Sequence, residues 1–315
     1  MQRLPERILV TGANGHLGRL LIARIGADAG GGATPRVRAL VRSESAGARV
    51  RTVATPTPTE VVIGDYTDEA SMDAAVAGCE AVVHLVGIIK EGAGSLYRTA
   101  HEDTCEVLGR VAARQGVRRI VYLSIVGSRP DSANPCLASK GRAEAILLGA
   151  SVPTTVIRVP MVLGPDDFAS AALRGRARAR LVALVRGGAS LEQPIDAADV
   201  VGAILGALRT GEGESIAIDL GGPERLSHRA LVLRAASQYG KRPWIVPIPF
   251  ALVRGLVAAL ERMSGNPPIT TAMLEILQHD DRIDQAAGCE RLGVRLTPLD
   301  ETLRRYVGPG SETHD

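Results

Sequence analysis

The sequence predicts an α/β fold, a doubly wound parallel sheet with a smaller, mostly helical C-terminal lobe. Three observations carry that expectation. An apolar run of strand type, Arg7-Ile8-Leu9-Val10-Thr11, leads into glycines spaced by three, Gly12, Gly15 and Gly18, and then into a helical pattern at Leu17, Leu20, Leu21, Arg24 and Ile25. Strand-like and helix-like segments keep alternating to about residue 158, as a parallel sheet with crossover helices requires. Residues 81–86 form an almost unbroken apolar run, as in a strand buried on both faces.

The elements follow in order. A second strand is expected over residues 37–41 and a third over 61–63. Asp68 caps a helix that runs through Met72, Ala75 and Val76. After the apolar run at 81–86, a long helix covers about 99–115. A strand at 119–123, a helix near 139–148 and a strand at 154–158 complete the alternation. The character changes after Pro160. Residues 174–180 are rich in Arg and Ala, and Pro194-Ile195-Asp196-Ala197-Ala198-Asp199-Val200 reads as a return strand feeding a capped helix to Leu208. From Ile216 onward prolines are dense and helices dominate. Residues 1–165, joined by 190–210, are therefore expected to form the dinucleotide-binding domain. Residues 166–189 and 211–315 are expected to form a substrate or partner lobe. The stretch 26–35 reads as a flexible loop and 308–315 as a frayed tail.

Composition narrows the classes. The 315 residues suit one large domain or two coupled ones, and with only 3% aromatic residues the core must be aliphatic. The net charge is +3, too small and too scattered for a nucleic-acid partner. Four cysteines, Cys79, Cys105, Cys136 and Cys289, lie far apart, so no metal site is expected. They fit buried thiols in a reducing cytoplasm. The chain enters a strand within a few residues, which argues against a signal peptide. The longest apolar stretch, 250–260, is interrupted by Arg254 and too short to span a bilayer. The expected location is cytoplasmic.

The glycine-spaced turn is a phosphate site. Gly12 allows a sharp turn, Gly15 removes a side chain where a pyrophosphate would approach, and Gly18 lets the helix lie close to the strand. Asn14, His16 and Leu17 complete the loop and the first helical turn, whose free N–H groups favour an anion. The plain alternative is a tight turn with no ligand. The second strand ends Val41-Arg42-Ser43. Arg42 is placed to pair with a 2′-phosphate and Ser43 to add a hydrogen bond, while Glu44 falls too late to hold a 2′-hydroxyl. NADP(H) is the favoured cofactor and NAD(H) the second choice; the bland reading of Arg42 is one more exposed arginine. Asp65 and Tyr66, just past the third strand, can meet adenine, or Asp65 can bond its own turn. Val86 and Gly87 end the fourth strand where ribose and phosphate would pass.

These features, with Leu123-Ser124, Lys140 and Arg158-Val159-Pro160-Met161-Val162-Leu163-Gly164-Pro165, fall in an order that resembles the short-chain dehydrogenases/reductases. The chain resembles their extended, atypical members, the NmrA-like proteins and the relatives of the complex I accessory subunit. Gly87-Ile88-Ile89, His101, Gly221-Gly222-Pro223-Glu224 and Leu277-Gln278-His279-Asp280-Asp281 are similar to the latter branch. The resemblance implies a Rossmann-type sheet and roles for Ser124, Lys140 and a tyrosine four residues before the lysine. It also implies that Pro160, Met161 and Val162 line the nicotinamide side. The tyrosine position is Cys136. A thiol is shorter by the length of a ring and cannot reach where the phenol reaches, so Cys136 reads as a packing residue.

Three accounts of function stay open on the sequence. The chain is a reductase of an apolar carbonyl or quinone-like compound with another acid, for which Lys140, Tyr97 and His101 are candidates and His101 is also read as a packing residue. It is a non-catalytic NADP(H)-binding redox sensor. Or it is an assembly factor whose nucleotide holds the fold. The apolar helix at 250–260 reads first as packing, with a membrane-facing role as the lesser reading.

Overall fold

The computed structural model describes residues 3–27, 34–92, 94–210, 213–264 and 266–310. Most of the loop expected at 26–35 and most of the tail expected at 308–315 lie outside the described residues.

Six strands, β1 (Arg7–Thr11), β2 (Arg36–Val41), β3 (Glu60–Ile63), β4 (Ala81–His84), β5 (Arg119–Ile125) and β6 (Thr154–Val159), form a parallel sheet with a last strand, Ile216–Asp219. The spatial order is last strand, β6, β5, β4, β1, β2, β3. The chain winds from β1 outward through β2 to β3, then returns to the other side of β1 as β4. The β1/β4 junction is thus the switch point, with Thr11 level with Leu40 on one side and His84 on the other. Open parallel sheets bind ligands at the carboxyl ends of the strands there.

Helix α1 (His16–Ala27) and α2 (Glu44–Arg51) follow β1 and β2, and α3 (Glu69–Val76) follows β3 with Asp68 as its cap, accepting from the Ser71 N–H at 2.8 Å. A π-helical turn, Arg98–Asp103, runs into α4 (Thr104–Arg114). Helix α5 (Pro135–Leu148) starts four residues before its expected start, because Asn134 accepts from the Cys136 and Leu137 N–H groups and Pro135 suits the first turn. Two aliphatic cores cover the sheet. On one face Ile8, Val10, Val83 and Ile157 pack against Leu21, Ile22 and Ile25 of α1 and against Val200 and Ile204 of a returning helix. On the other, Leu9, Val82, Ile120 and Tyr122 pack against Met72, Leu108, Val111 and Leu147 of α3, α4 and α5.

The lobe has its own core, built from Leu173, Val182, Leu184, Leu231, Val232, Leu299 and Leu303. It comprises α6 (Phe168–Arg178), a two-stranded parallel ribbon of Leu181–Val185 and Trp244–Ile248, and further helices. The returning helix α7 (Ala197–Arg209) is capped by Asp196 and packs under the sheet. Then follow α8 (His228–Ser237), α9 (Phe250–Met263), α10 (Thr271–Ile276), α11 (Gln285–Leu292) and α12 (Leu299–Tyr306). The expected boundary at 211 shifts: Ile216–Asp219 pairs with Thr155–Arg158 of β6 and so belongs to the sheet. Helix α11 also packs on α7, where the Gly206 surface meets the Leu292 backbone. The expected return strand is only Ile195–Asp196, bridged to Val162–Leu163.

Candidate functional site

The glycine loop holds the geometry that its residue types suggest. Gly12 has φ +68°, and a side chain there would press on the Leu85 backbone at 3.0 Å. Gly18 brings α1 against the loop so closely that a Cβ would lie 2.7 Å from the Ala13 backbone. Gly15 is exposed, and a Cβ there would meet only the Gly12 carbonyl. Gly15 thus stands open at the amino end of α1, where the first helical N–H groups have no partner within the helix. Asn14, His16 and Leu17 border it. The His16 imidazole is packed against Gly164, and its Nε2 is buried without a hydrogen-bond partner.

Tyr66 lies beneath the loop rather than beside it. Its hydroxyl accepts from the Gly12 N–H at 3.3 Å and donates to the Leu40 carbonyl at 3.2 Å. Burial pushes its pKa up, so it stays a neutral prop. Asp65 accepts from the Thr67 N–H at 2.9 Å and the Thr67 hydroxyl at 2.8 Å, the turn-forming role. Arg42 is exposed at the end of β2 with its guanidinium 6.0 Å from the Tyr66 ring. Ser43 caps α2, its oxygen accepting from the Ala46 N–H at 3.2 Å. The other arginines of this strand differ. Arg36 is exposed at its start; Arg38 is buried and committed to Glu60 at 3.0 Å and to the Ala75 and Ala77 carbonyls.

Three of the four candidate catalytic side chains, Lys140, Tyr97 and His101, converge on one piece of main chain, Gly87-Ile88-Ile89. Val86, partly buried, brings it past Gly12. The Lys140 amine lies directly under Gly87, 2.8 Å from where a Cβ would stand. His101 is fully buried, with Nε2 3.1 Å from both the N–H and the carbonyl of Ile88. The Cys136 thiol donates to the Ile88 carbonyl at 3.6 Å, and the Tyr97 hydroxyl to the Ile89 carbonyl at 2.7 Å. Tyr97 stacks on His101 with centroids 5.7 Å apart. Ser124, at the end of β5, donates to the Ser128 hydroxyl at 3.4 Å.

Burial dominates the electrostatics. It drives His101 and His84 down to about 3, with the Lys140 charge adding to both, so the two rings are neutral. His84 is held by Thr11 at 2.7 Å. Burial also pushes the Cys136 thiol up to about 11 and raises Tyr97, so neither ionises near neutral pH. Lys140 is lowered by burial, and Cys105, Cys136 and Glu144 oppose that shift only in part. Its amine donates to the Tyr122 hydroxyl at 3.0 Å and the Leu123 carbonyl at 3.2 Å, and sits 4.6 Å from the Tyr122 ring centre. Tyr122 is the group that sequence reasoning passed over. An aromatic in an apolar strand reads as core, and nothing in the local pattern shows that a lysine eighteen residues on reaches its hydroxyl.

On the far side of the cleft, the Met161 carbonyl accepts from the Ile195 N–H at 2.9 Å, and its side chain packs on the lobe core. Val162 is likewise bridged to Ile195, so this segment ties sheet to lobe, with Pro160 half-buried before it. The lobe covers the site from above: Asn134 donates to the Ala272 carbonyl at 2.9 Å, and the charge of Glu261 on α9 bears on Tyr97. A separate surface depression lined by Glu6, Glu80, Arg118 and Thr210 lies at the opposite, amino end of the strands. Among the described residues no group of His, Cys, Asp and Glu is arranged to hold a metal ion.

Comparison with known proteins gives the family. The family described as NAD(P)H-binding matches residues 12–210. The chain is 26% identical over 219 residues to the NADH dehydrogenase [ubiquinone] 1 alpha subcomplex subunit 9, mitochondrial, of Arabidopsis thaliana, covering 69% of this chain and 54% of that protein. It is 29% identical over 160 residues to a ceramide reductase of Caulobacter vibrioides, covering 51% and 47%. The chain thus spans about half the length of these two relatives. It is 30% identical over 274 residues to a (4-alkanoyl-5-oxo-2,5-dihydrofuran-3-yl)methyl phosphate reductase of Streptomyces griseus, covering 85% of each. Similar solved structures include gox2253 (TM-score 0.73, 20% identity, 96% and 97% covered) and the Bordetella bronchiseptica enzyme WbmG in complex with NAD (0.72, 17%, 97% and 93%). The Thermus thermophilus UDP-glucose 4-epimerase complex with NAD is similar to the same degree (0.70, 18%, 96% and 97%). At such identities the structures share the fold.

Proposed function

We propose a function from one premise: the chain belongs to the NAD(P)H-binding family and is an atypical, extended short-chain dehydrogenase/reductase. It binds NADP(H) and reduces an apolar carbonyl or quinone-like compound in the cleft under the lobe. The observation that carries this reading is the open glycine loop set beside Lys140, whose amine stands under Gly87 at the same strand ends. Two relatives named as reductases support the reaction class.

The loop from Gly12 to Gly18 would hold the diphosphate, and Arg42, exposed at the end of β2, would take the 2′-phosphate. The nucleotide supplies a hydride when bound. The protein's task is then to hold a carbonyl oxygen and deliver a proton. Ser124 is the hydroxyl for the first role. Cys136 is too short and too weakly acidic for the second. Lys140 fills it, because burial loosens its hold on a proton. Residues 166–189 and the helices after 220 offer the substrate surface, and a small molecule rather than a nucleic acid is the expected partner. Four free thiols fit a cytoplasmic location.

The test is NADPH oxidation against a panel of long-chain ketones and quinones. Lys140→Met should lower turnover about a hundredfold or more. Arg42→Ala should weaken NADPH about tenfold and leave NADH unchanged. One observation favours a second reading: Tyr97, His101 and Cys136 are all spent on the main chain of Ile88 and Ile89. Tight NADPH binding with no oxidation on any carbonyl would favour a nucleotide-holding sensor or assembly factor.

A further inference from the structure

The chain leaves β5 through a tight turn that a histidine of the lobe covers. In Ile125-Val126-Gly127-Ser128 the Ser128 N–H donates to the Ile125 carbonyl at 3.1 Å. Gly127 stands third in the turn with φ +83°, which glycine adopts at no steric cost. The turn sets Ser128 back against Ser124, hydroxyl to hydroxyl at 3.4 Å. The space that a side chain at Gly127 would take is filled from the lobe. His279 enters it tip first: Nε2 lies 3.1 Å from where a Cβ would stand, and the ring carbons beside it lie at 3.5 Å. Hydrogen bonds hold His279 there from both sides. Before it, α10 is tied to the start of α5, where Asn134 donates to the Ala272 carbonyl at 2.9 Å and to Glu275 at 3.3 Å. After it, the Leu191 N–H donates to the Asp280 carboxylate at 2.8 Å, and the Asp281 N–H to the Leu191 carbonyl at 2.9 Å. The imidazole itself is exposed, and neither ring nitrogen has a hydrogen-bond partner among the described residues. His84, His101 and His228 differ, being bonded to Thr11, to the Ile88 main chain and to Glu192.

We propose that His279 is a specificity-determining residue of the cleft, whose imidazole hydrogen-bonds a second oxygen of the substrate while the reacting carbonyl lies at Ser124. It rests on the reductase reading and narrows the substrate class to carbonyl compounds with a neighbouring oxygen function, such as β-oxo esters and amides. Ser124 and the imidazole tip meet at one turn, so the two oxygens they hold belong to adjacent functional groups and not to the far ends of a long molecule. A polar group built into a site discriminates well, because a compound that lacks the matching oxygen leaves it unpaired. His279 decides what is held, and the proton step stays with Lys140.

The test compares NADPH oxidation with ethyl butyrylacetate, a β-oxo ester, and with methyl hexyl ketone, a plain ketone of equal carbon count. The wild type should prefer the ester in kcat/KM by about tenfold or more. His279→Phe should lose that preference, through KM and not kcat, and His279→Gln, which keeps an N–H donor, should retain part of it. Unfolding temperatures should not move, because the side chain is exposed. A second readout needs no turnover: the His279 imidazole NMR signal, assigned by its loss in His279→Phe. In the wild type with NADP⁺ it should shift on adding the ester and stay in place on adding the ketone. Equal use of both compounds by the wild type, a His279→Phe variant that keeps the preference, or a signal that the ester does not move overturns the proposal. No turnover of either compound, with the signal still moved by the ester, overturns the reductase reading and supports His279 as a binding residue.

Discussion

Replacing Tyr122 by Phe removes one of the two acceptors that hold the buried Lys140 ammonium and leaves the ring in place. The hydroxyl stands 3.0 Å from the amine, with the Leu123 carbonyl at 3.2 Å as the other acceptor. A hydrogen bond to a charged group contributes about 1.5–3 kcal/mol. Losing it should lower the Lys140 pKa further, since the charged form loses a partner that the neutral form needs less. The neighbours that oppose the fall are Cys105, Cys136 and Glu144; His84 and His101, both neutral, do not add charge near pH 7. Because Lys140 already titrates below its ordinary value when folded, the unfolded chain binds more protons between the two pKa values. Stability therefore rises with pH across that interval. Tyr122→Phe extends the interval downward. Its cost should be full below the new folded pKa and should shrink by about 1.4 kcal/mol per pH unit above it. Urea unfolding of wild type, Tyr122→Phe, Lys140→Met and the double variant, from about pH 6 to 10, measures this. The cost of Tyr122→Phe should largely vanish in the Lys140→Met background. A cost independent of pH, and equal in both backgrounds, would refute the pairing.

Three further outcomes follow from the same geometry. Gly18→Ala sets a methyl 2.7 Å from the Ala13 and Gly12 main chain, and should cost about 1–3 kcal/mol and erase any rise in melting temperature on adding NADPH. Burial pushes Asp281 up to about 6, so its contribution to stability is fully present below the ordinary carboxylate range and lost as pH rises through about 6. Asp281→Asn should flatten the stability profile there and gain about 1–2 kcal/mol at neutral pH in denaturant melts. Arg158 donates to Glu144 at 2.6 Å, and Glu144 is only 3% exposed. Arg158→Ala should cost about 3–5 kcal/mol by stranding that carboxylate, and adding Glu144→Gln should restore much of it in the same melts.

The sheet and its first glycine turn were legible in the sequence because local signals and tertiary demands coincide there. The glycine spacing, the Asp68 cap and the unbroken apolar run at β4 each specify one conformation, and the fold adopts it. Where the chain departs from expectation, a tertiary contact decides. The last strand is four residues long and is recognisable only by the β6 edge it completes. The turn at Arg98–Asp103 keeps a helical pattern, and its widening to a π-turn goes with His101 and Tyr97 reaching the Ile88–Ile89 main chain. Tyr97 and His101 were legible as residues near the cleft, but not as a bracket on that main chain. Their partner is backbone, which carries no side-chain signature. The Arg42 reading rests on the strand end alone, and the structure leaves that arginine exposed where the sequence puts it.

The account depends most on nucleotide being held by the loop between β1 and α1. Calorimetric titration of NADPH and NADH into the wild type and Gly15→Leu tests it directly. Gly15 is exposed and a Cβ there would meet only the Gly12 carbonyl at 3.2 Å, so the variant should keep the fold while placing a side chain where the diphosphate would lie. The wild type should bind NADPH saturably, about tenfold more tightly than NADH, and the variant should bind neither. No saturable binding to the wild type, or equal binding to Gly15→Leu, would contradict it.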